Sequence, residues 1–123
     1  MYAIDTNILI YYANGDREVT RFLISQFEKD VPLFLATIAV VEFFSFPAIN
    51  QEAQNVFESL LPYFRIMSLD YPLSLTAAEI RRNYKLKLGD SVIAATAIDT
   101  SSTLVTRNSR DFKKIPELKL LNL

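Results

Sequence analysis

Five short apolar runs, "YAI" at 2–4, "PLFLAT" at 32–37, "RIMSL" at 65–69, "TLVT" at 103–106 and "LKLLNL" at 118–123, alternate with longer segments of helical spacing. Val19, Phe22, Leu23 and Phe27 share one face of a helix predicted over 18–29. Val56, Phe57, Leu60 and Leu61 do the same within "QEAQNVFESLLPYF". Asp-Thr-Asn after "YAI" leads into a helical "ILIYYA", and Asn14-Gly15-Asp16 breaks it. Thr37 is expected to cap "IAVVEFFSF", which Pro47 ends, and Asp70 to cap a helix that starts through Pro72 and carries Leu75, Ala77, Ala78 and Ile80. "DSVIAATAIDT" predicts one more helix. Strands that alternate with helices in this way predict an α/β fold, a three-layer α/β/α sandwich on a mostly parallel sheet. A chain of 123 residues without repeats or low-complexity tracts is expected to form one domain, 1–123.

In such sheets ligands bind beyond the carboxyl ends of the strands. Asp5, directly after the first apolar run, is therefore placed where chemistry is done. The composition limits that chemistry sharply. Histidine and cysteine are both absent, which excludes Ser-His-Asp and Cys-His hydrolysis, histidine-based RNA cleavage, disulfides, and zinc sites built on imidazole or thiolate. Catalysis is left to carboxylates, hydroxyls, amides, Lys and Arg. A formal net charge of -1 gives no general support to nucleic-acid binding, so any such binding must use local patches. No apolar run approaches the ~20 residues of a bilayer span, and "MYAIDTNILIYY" lacks the basic segment of a secretory signal, so a cytoplasmic protein is expected.

Three acids stand out. Glu42 interrupts the otherwise apolar "AVVEFFSF", where an unpaired buried carboxylate would be costly, so it is expected to face a cleft or a cation. Asp90 opens a helix in which Ala94, Ala95 and Ala97 permit close approach to a neighbour, and Gly89 is read as allowing a tight turn before it. An acid in a first helical turn also serves as an ordinary cap, and a lone charge often lies on a solvent face. "LVTRNSRDF" sets Thr106, Asn108, Ser109 and Asp111 straight after a strand end, on the side to which Asp5 points. Oxygen-only donors from several strand ends select hard cations, Mg²⁺ or Mn²⁺, which suit phosphodiester hydrolysis. Arg81, Arg82, Lys85 and Lys87 precede Asp90, and Arg107, Arg110, Lys113 and Lys114 surround the last cluster. They are candidate RNA contacts, although a solvated helix face and a polar loop would look the same.

The order Asp5 in "IDTN", Glu42 in "VVEF", Asp90 in "LGDSVIAATA" and then "LVTRNSRDF" resembles the PIN-domain family over essentially the whole chain. The likeness is to its small VapC-like toxins of prokaryotic toxin–antitoxin pairs. The resemblance implies a metal-dependent endoribonuclease in which Asp5, Glu42 and Asp90 are the catalytic, metal-holding acids, with Asn7, Thr106, Asn108 and Asp111 in support. A fourth acid of many relatives falls on Asn108, which brings no charge and weakens the case for a second metal. A homodimer held in check by an antitoxin protein is also implied, and Phe43, Phe44, Phe46, Phe57, Tyr63 and Phe64 are candidate partner surface. Two alternatives are a non-catalytic PIN-like protein- or RNA-binding module and a haloacid-dehalogenase-type phosphatase. The second requires an Asp where this chain has Asn7.

Overall fold

The computed structural model describes residues 1–123. Its strands are β1 (Tyr2–Ile4), β2 (Leu33–Ala36), β3 (Phe64–Met67), β4 (Thr103–Thr106) and β5 (Leu120–Asn122). They pair into one sheet in the order β3-β2-β1-β4-β5, every pairing parallel. The helices are α1 (Thr6–Ala13), α2 (Arg17–Glu28), α3 (Thr37–Phe44), α4 (Gln51–Leu60), α5 (Tyr71–Tyr84), α6 (Leu88–Asp99) and α7 (Ser109–Phe112), with a single 3₁₀ turn at Leu61–Tyr63. None is long and apolar enough to cross a membrane.

Alternation along the strands builds two cores, because successive side chains point to opposite faces of a sheet. Ala3, Phe34, Ala36 and Leu104 face one way and pack with Leu73, Ala77 and Ile80 of α5, the alanines of α6, and Phe112. Ile4, Leu33, Leu35 and Val105 face the other way, against Ile8 and Leu9 of α1, Val19 and Leu23 of α2, Phe43 of α3, and Phe57 and Leu60 of α4. The sheet is thus the middle of three layers. Its strand order reverses between β1 and β4, and the crevice at that switch is where such sheets bind ligands.

Side-chain caps start three helices, and of these the sequence pointed only to the one at Asp70. Asp16 accepts from the Val19 amide at 3.1 Å, Asn50 from the Ala53 amide at 2.9 Å, and Asp70 from the Leu73 amide at 2.9 Å. Four local readings are corrected. Thr37 does not cap α3. It is the first residue of the helix, and its hydroxyl donates to the Met67 carbonyl at 2.8 Å, which ties the start of α3 to the end of β3. That helix stops at Phe44, before Pro47 is reached. On α5 the buried stripe is Leu73, Ala77 and Ile80, spaced i, i+4, i+7, so Leu75 is left 54% exposed and Ala78 also faces solvent. Gly89 lies inside α6, with ordinary helical backbone, and makes no turn before it.

Candidate active site

Asp5 lies between β1 and α1, and at 3% exposure it is among the few buried polar residues. Its backbone amide is held by the Val105 carbonyl at 3.1 Å, which fixes Asp5 to the neighbouring strand. Thr106, at the end of that strand and fully buried, donates its hydroxyl to Asp5 Oδ2 at 2.8 Å. The same Oγ1 accepts the Asn108 amide at 2.8 Å, so the turn after β4 is tied to the Asp5 carboxylate through one hydroxyl.

Glu42 belongs to α3 and reaches the cleft from an otherwise solvent-exposed position. Thr6 Oγ1 donates to Glu42 Oε1 at 2.8 Å. Asp90 lies in the first turn of α6, half-buried. Asp5, Glu42 and Asp90 line one cavity of about 230 Å³ together with Thr6, the exposed Asn7, and Phe46. Three acids from separate elements are thereby brought to the crevice beside β1 and β4.

A scan of the sequence finds a PIN domain over residues 2–118. The chain belongs to the PIN-domain family. It is 30% identical over 132 aligned residues to a protein named Ribonuclease VapC2 from Rickettsia felis, covering 99% of this chain and 97% of the relative. A toxin–antitoxin complex from Klebsiella pneumoniae is similar in structure, with TM-score 0.82 and 29% identity over 99% of this chain and 97% of that one. The VapBC2 structure from Rickettsia felis bound to a promoter DNA fragment shares the fold, with TM-score 0.84 at 24% identity, over 99% and 98%.

The electrostatics of this PIN-domain cleft follow from its crowding. Burial pushes the Asp5 carboxyl up from 3.8 to about 6; the charges of Asp90 and Glu42 add to this, and the Thr106 hydroxyl and Thr6 amide oppose it. Asp90 is also raised, first by burial and then by Glu42, with Asp111 adding and the Lys87 charge opposing. No three acids stand close enough to enclose an ion as they are arranged. The donor set nonetheless suits a hard divalent cation: every polar ligand is oxygen, and two of the carboxyls carry a repulsion that a cation relieves.

Asn108 and Asp111 do come together. Asn108 Nδ2 donates to Asp111 Oδ2 at 3.2 Å, Lys114 Nζ lies 3.8 Å from Asp111 Oδ1, and Phe112 is anchored in the core with no exposure. Asp111 therefore braces α7 while its field reaches Asp90.

Arg107, a candidate RNA contact in the sequence, is engaged within the protein. Its guanidinium makes paired hydrogen bonds to Asp16 at 2.7 and 3.0 Å, its Nε donates to the Leu123 carbonyl at 3.1 Å, and its plane lies 4.5 Å from the Tyr11 ring centre. Asp16 is held below the usual carboxylate range by those bonds. Arg81, Arg82 and Lys85 line a larger groove of about 620 Å³ between α5 and α6, while Arg110, Lys113 and Lys114 are exposed around α7.

The aromatic group expected at a partner surface is mostly core. Phe43, Phe57 and Phe64 are buried and Phe44 is half-buried, packed within 5.2 Å of Phe43, which leaves Phe46 and Tyr63 exposed. Sequence reasoning passed over Thr6, although it directly follows Asp5 in "IDTN", where the start of α1 turns side chains into the cleft.

Proposed function

We propose that the protein is a metal-dependent endoribonuclease and the toxin half of a toxin–antitoxin pair. The convergence of Asp5, Glu42 and Asp90 on one cavity at the switch between β1 and β4 carries this reading. The ribonuclease name of the Rickettsia relative and the toxin–antitoxin complex from Klebsiella support it.

Asp5, Glu42 and Asp90 would hold Mg²⁺ or Mn²⁺. When bound, such an ion neutralises charge developing on a phosphoryl group and makes a coordinated water more acidic. The protein's own part is positional. Thr106 fixes one oxygen of Asp5, and Thr6 fixes one oxygen of Glu42. Asn7, exposed at the cavity, offers an amide to a phosphate oxygen. Arg81, Arg82, Lys85, Lys87, Arg110, Lys113 and Lys114 supply charge for the RNA backbone, while Arg107, already engaged, does not.

An antitoxin protein and a second copy of the chain are the partners in this reading, and an RNA substrate puts its work in the cytoplasm. Tyr71, Leu75 and Leu88 are among the most exposed large apolar side chains, and they mark α5 and the start of α6 as surface for a partner to cover.

The test is cleavage of unstructured RNA by the purified protein with Mg²⁺ or Mn²⁺, with EDTA, and with Asp5→Asn. Cleavage is expected only in the first case. Undiminished cleavage by folded Asp5→Asn protein would sink the assignment.

A further inference from the structure

We propose that Thr6 and Gly89 are positioning residues that together fix the Glu42 carboxylate, and that Gly89 serves by lacking a side chain. The geometric claim stands on the structure alone. Its consequence for cation binding rests on the metal-site reading above.

Glu42 reaches the cleft through a long side chain from an exposed helix position, and ordering such a chain costs rotamer freedom. Two contacts define where its end lies. Oε1 accepts the hydroxyl of Thr6, a residue buried at the first position of α1 and joined by one peptide bond to Asp5. One hydroxyl thus ties Glu42 to the residue next to Asp5. On the other side the carboxylate lies against Gly89: a Cβ there would fall 2.6 Å from Oε2, 3.0 Å from Cδ and 3.3 Å from Oε1. Gly89 precedes Asp90, so the same contact sets Glu42 beside the third acid.

Nothing in the backbone demands glycine at 89. The residue is helical and does not have the positive φ that favours glycine, so alanine suits the backbone at least as well. The clash that alanine brings is with the far end of a flexible side chain, which swings away without disturbing the core. The expected result of Gly89→Ala is therefore specific: an intact fold with Glu42 displaced from Asp90. No side chain caps α6, so the acid also loses its place at the positive end of that helix.

The experiment compares Gly89→Ala, Thr6→Val and Thr6→Ser with the unaltered protein by crystallography without metal and by Mn²⁺ titration calorimetry. Gly89→Ala and Thr6→Val are expected to move the Glu42 carboxylate and weaken Mn²⁺ binding about 10-fold or more, the usual effect of losing a group that orients a ligand. Thr6→Ser, which keeps the hydroxyl, is expected to restore both position and affinity. In a Glu42→Ala background neither Gly89→Ala nor Thr6→Val should change affinity further. A Gly89→Ala crystal structure with Glu42 unmoved overturns the clamp, as does unchanged affinity in a protein that binds Mn²⁺. Failure of the unaltered protein to bind Mn²⁺ overturns the metal reading instead, and the crystal structures still decide the clamp. Should Thr6→Val not fold, Gly89→Ala decides it.

Discussion

Thr106 and Asp5 stand 101 positions apart in the chain, yet the Thr106 hydroxyl donates to Asp5 Oδ2 at 2.8 Å while accepting the Asn108 amide. A single oxygen couples the strand end, the turn after it and a buried acid. Thr106→Val keeps the shape and removes the bond. It should leave the partly buried Asn108 amide unpaired and lower stability by about 1 kcal/mol, measured by urea unfolding. Because the lost bond favours the ionised carboxylate, the Asp5 carboxyl should also move further upward, as followed by carboxyl NMR.

Asp5 itself gives a pH dependence with a definite sign. Its carboxyl is raised from 3.8 to about 6, so between these values the folded protein keeps a proton that the unfolded chain has released. Stability therefore falls as pH rises through that window, and the ionised form carries a penalty of at most about 3 kcal/mol at neutral pH. Metal-free Asp5→Asn should be more stable than the unaltered protein at pH 7, by about 1–2 kcal/mol, with the difference gone near pH 4. Added Mn²⁺ should raise the melting temperature of the unaltered protein and not that of the variant. A metal-free Asp5→Asn protein that is less stable at pH 7 contradicts the burial argument.

The strands, their alternation with helices and the three acids were legible in the sequence because each is written locally: a short apolar run, a cap, a charge in an apolar helix. The contacts that orient those acids were not. Thr6 and Glu42 are 36 positions apart, and no local pattern says that one hydroxyl will reach the other carboxylate. Gly89 misled for a related reason. Local rules assign glycine to turns, whereas here its value is the space it leaves for a side chain from another helix. The engagement of Arg107 by Asp16 and Tyr11 was hidden in the same way, because both come from the far end of the chain.

That occupation makes Arg107 a test of structural against substrate roles. Its partners join the turn between α1 and α2 to the end of β4 and to the last residue. Arg107→Ala should lower the urea midpoint and speed proteolysis at the C-terminus, while Mn²⁺ affinity stays unchanged. The loss should shrink at high salt, since Arg107 and Asp16 are both partly solvent-accessible. Arg110→Ala should do the reverse, leaving the midpoint in place and weakening RNA binding.

By the resemblance a fourth acid of many relatives falls on Asn108, and here its amide donates to Asp111. Asn108→Asp turns that donor into an acceptor facing a second carboxylate, in a cleft where Asp90 is already pushed up by burial, Glu42 and Asp111. Without metal the variant should therefore be less stable at pH 7 than the unaltered protein, by about 1 kcal/mol, and should recover as pH falls and the pair takes up a proton. With a divalent cation the added charge becomes an advantage. The rise in melting temperature on adding Mn²⁺ should be larger for Asn108→Asp than for the unaltered chain. Asp111→Asn removes a charge from the same corner but leaves an amide able to accept from Asn108, so it should relieve Asp90 and reduce RNA cleavage less than Asp5→Asn does. If Asp111→Asn abolishes cleavage in a folded protein while Asn108→Asp leaves Mn²⁺ binding unchanged, Asp111 and not residue 108 occupies the fourth acid's place.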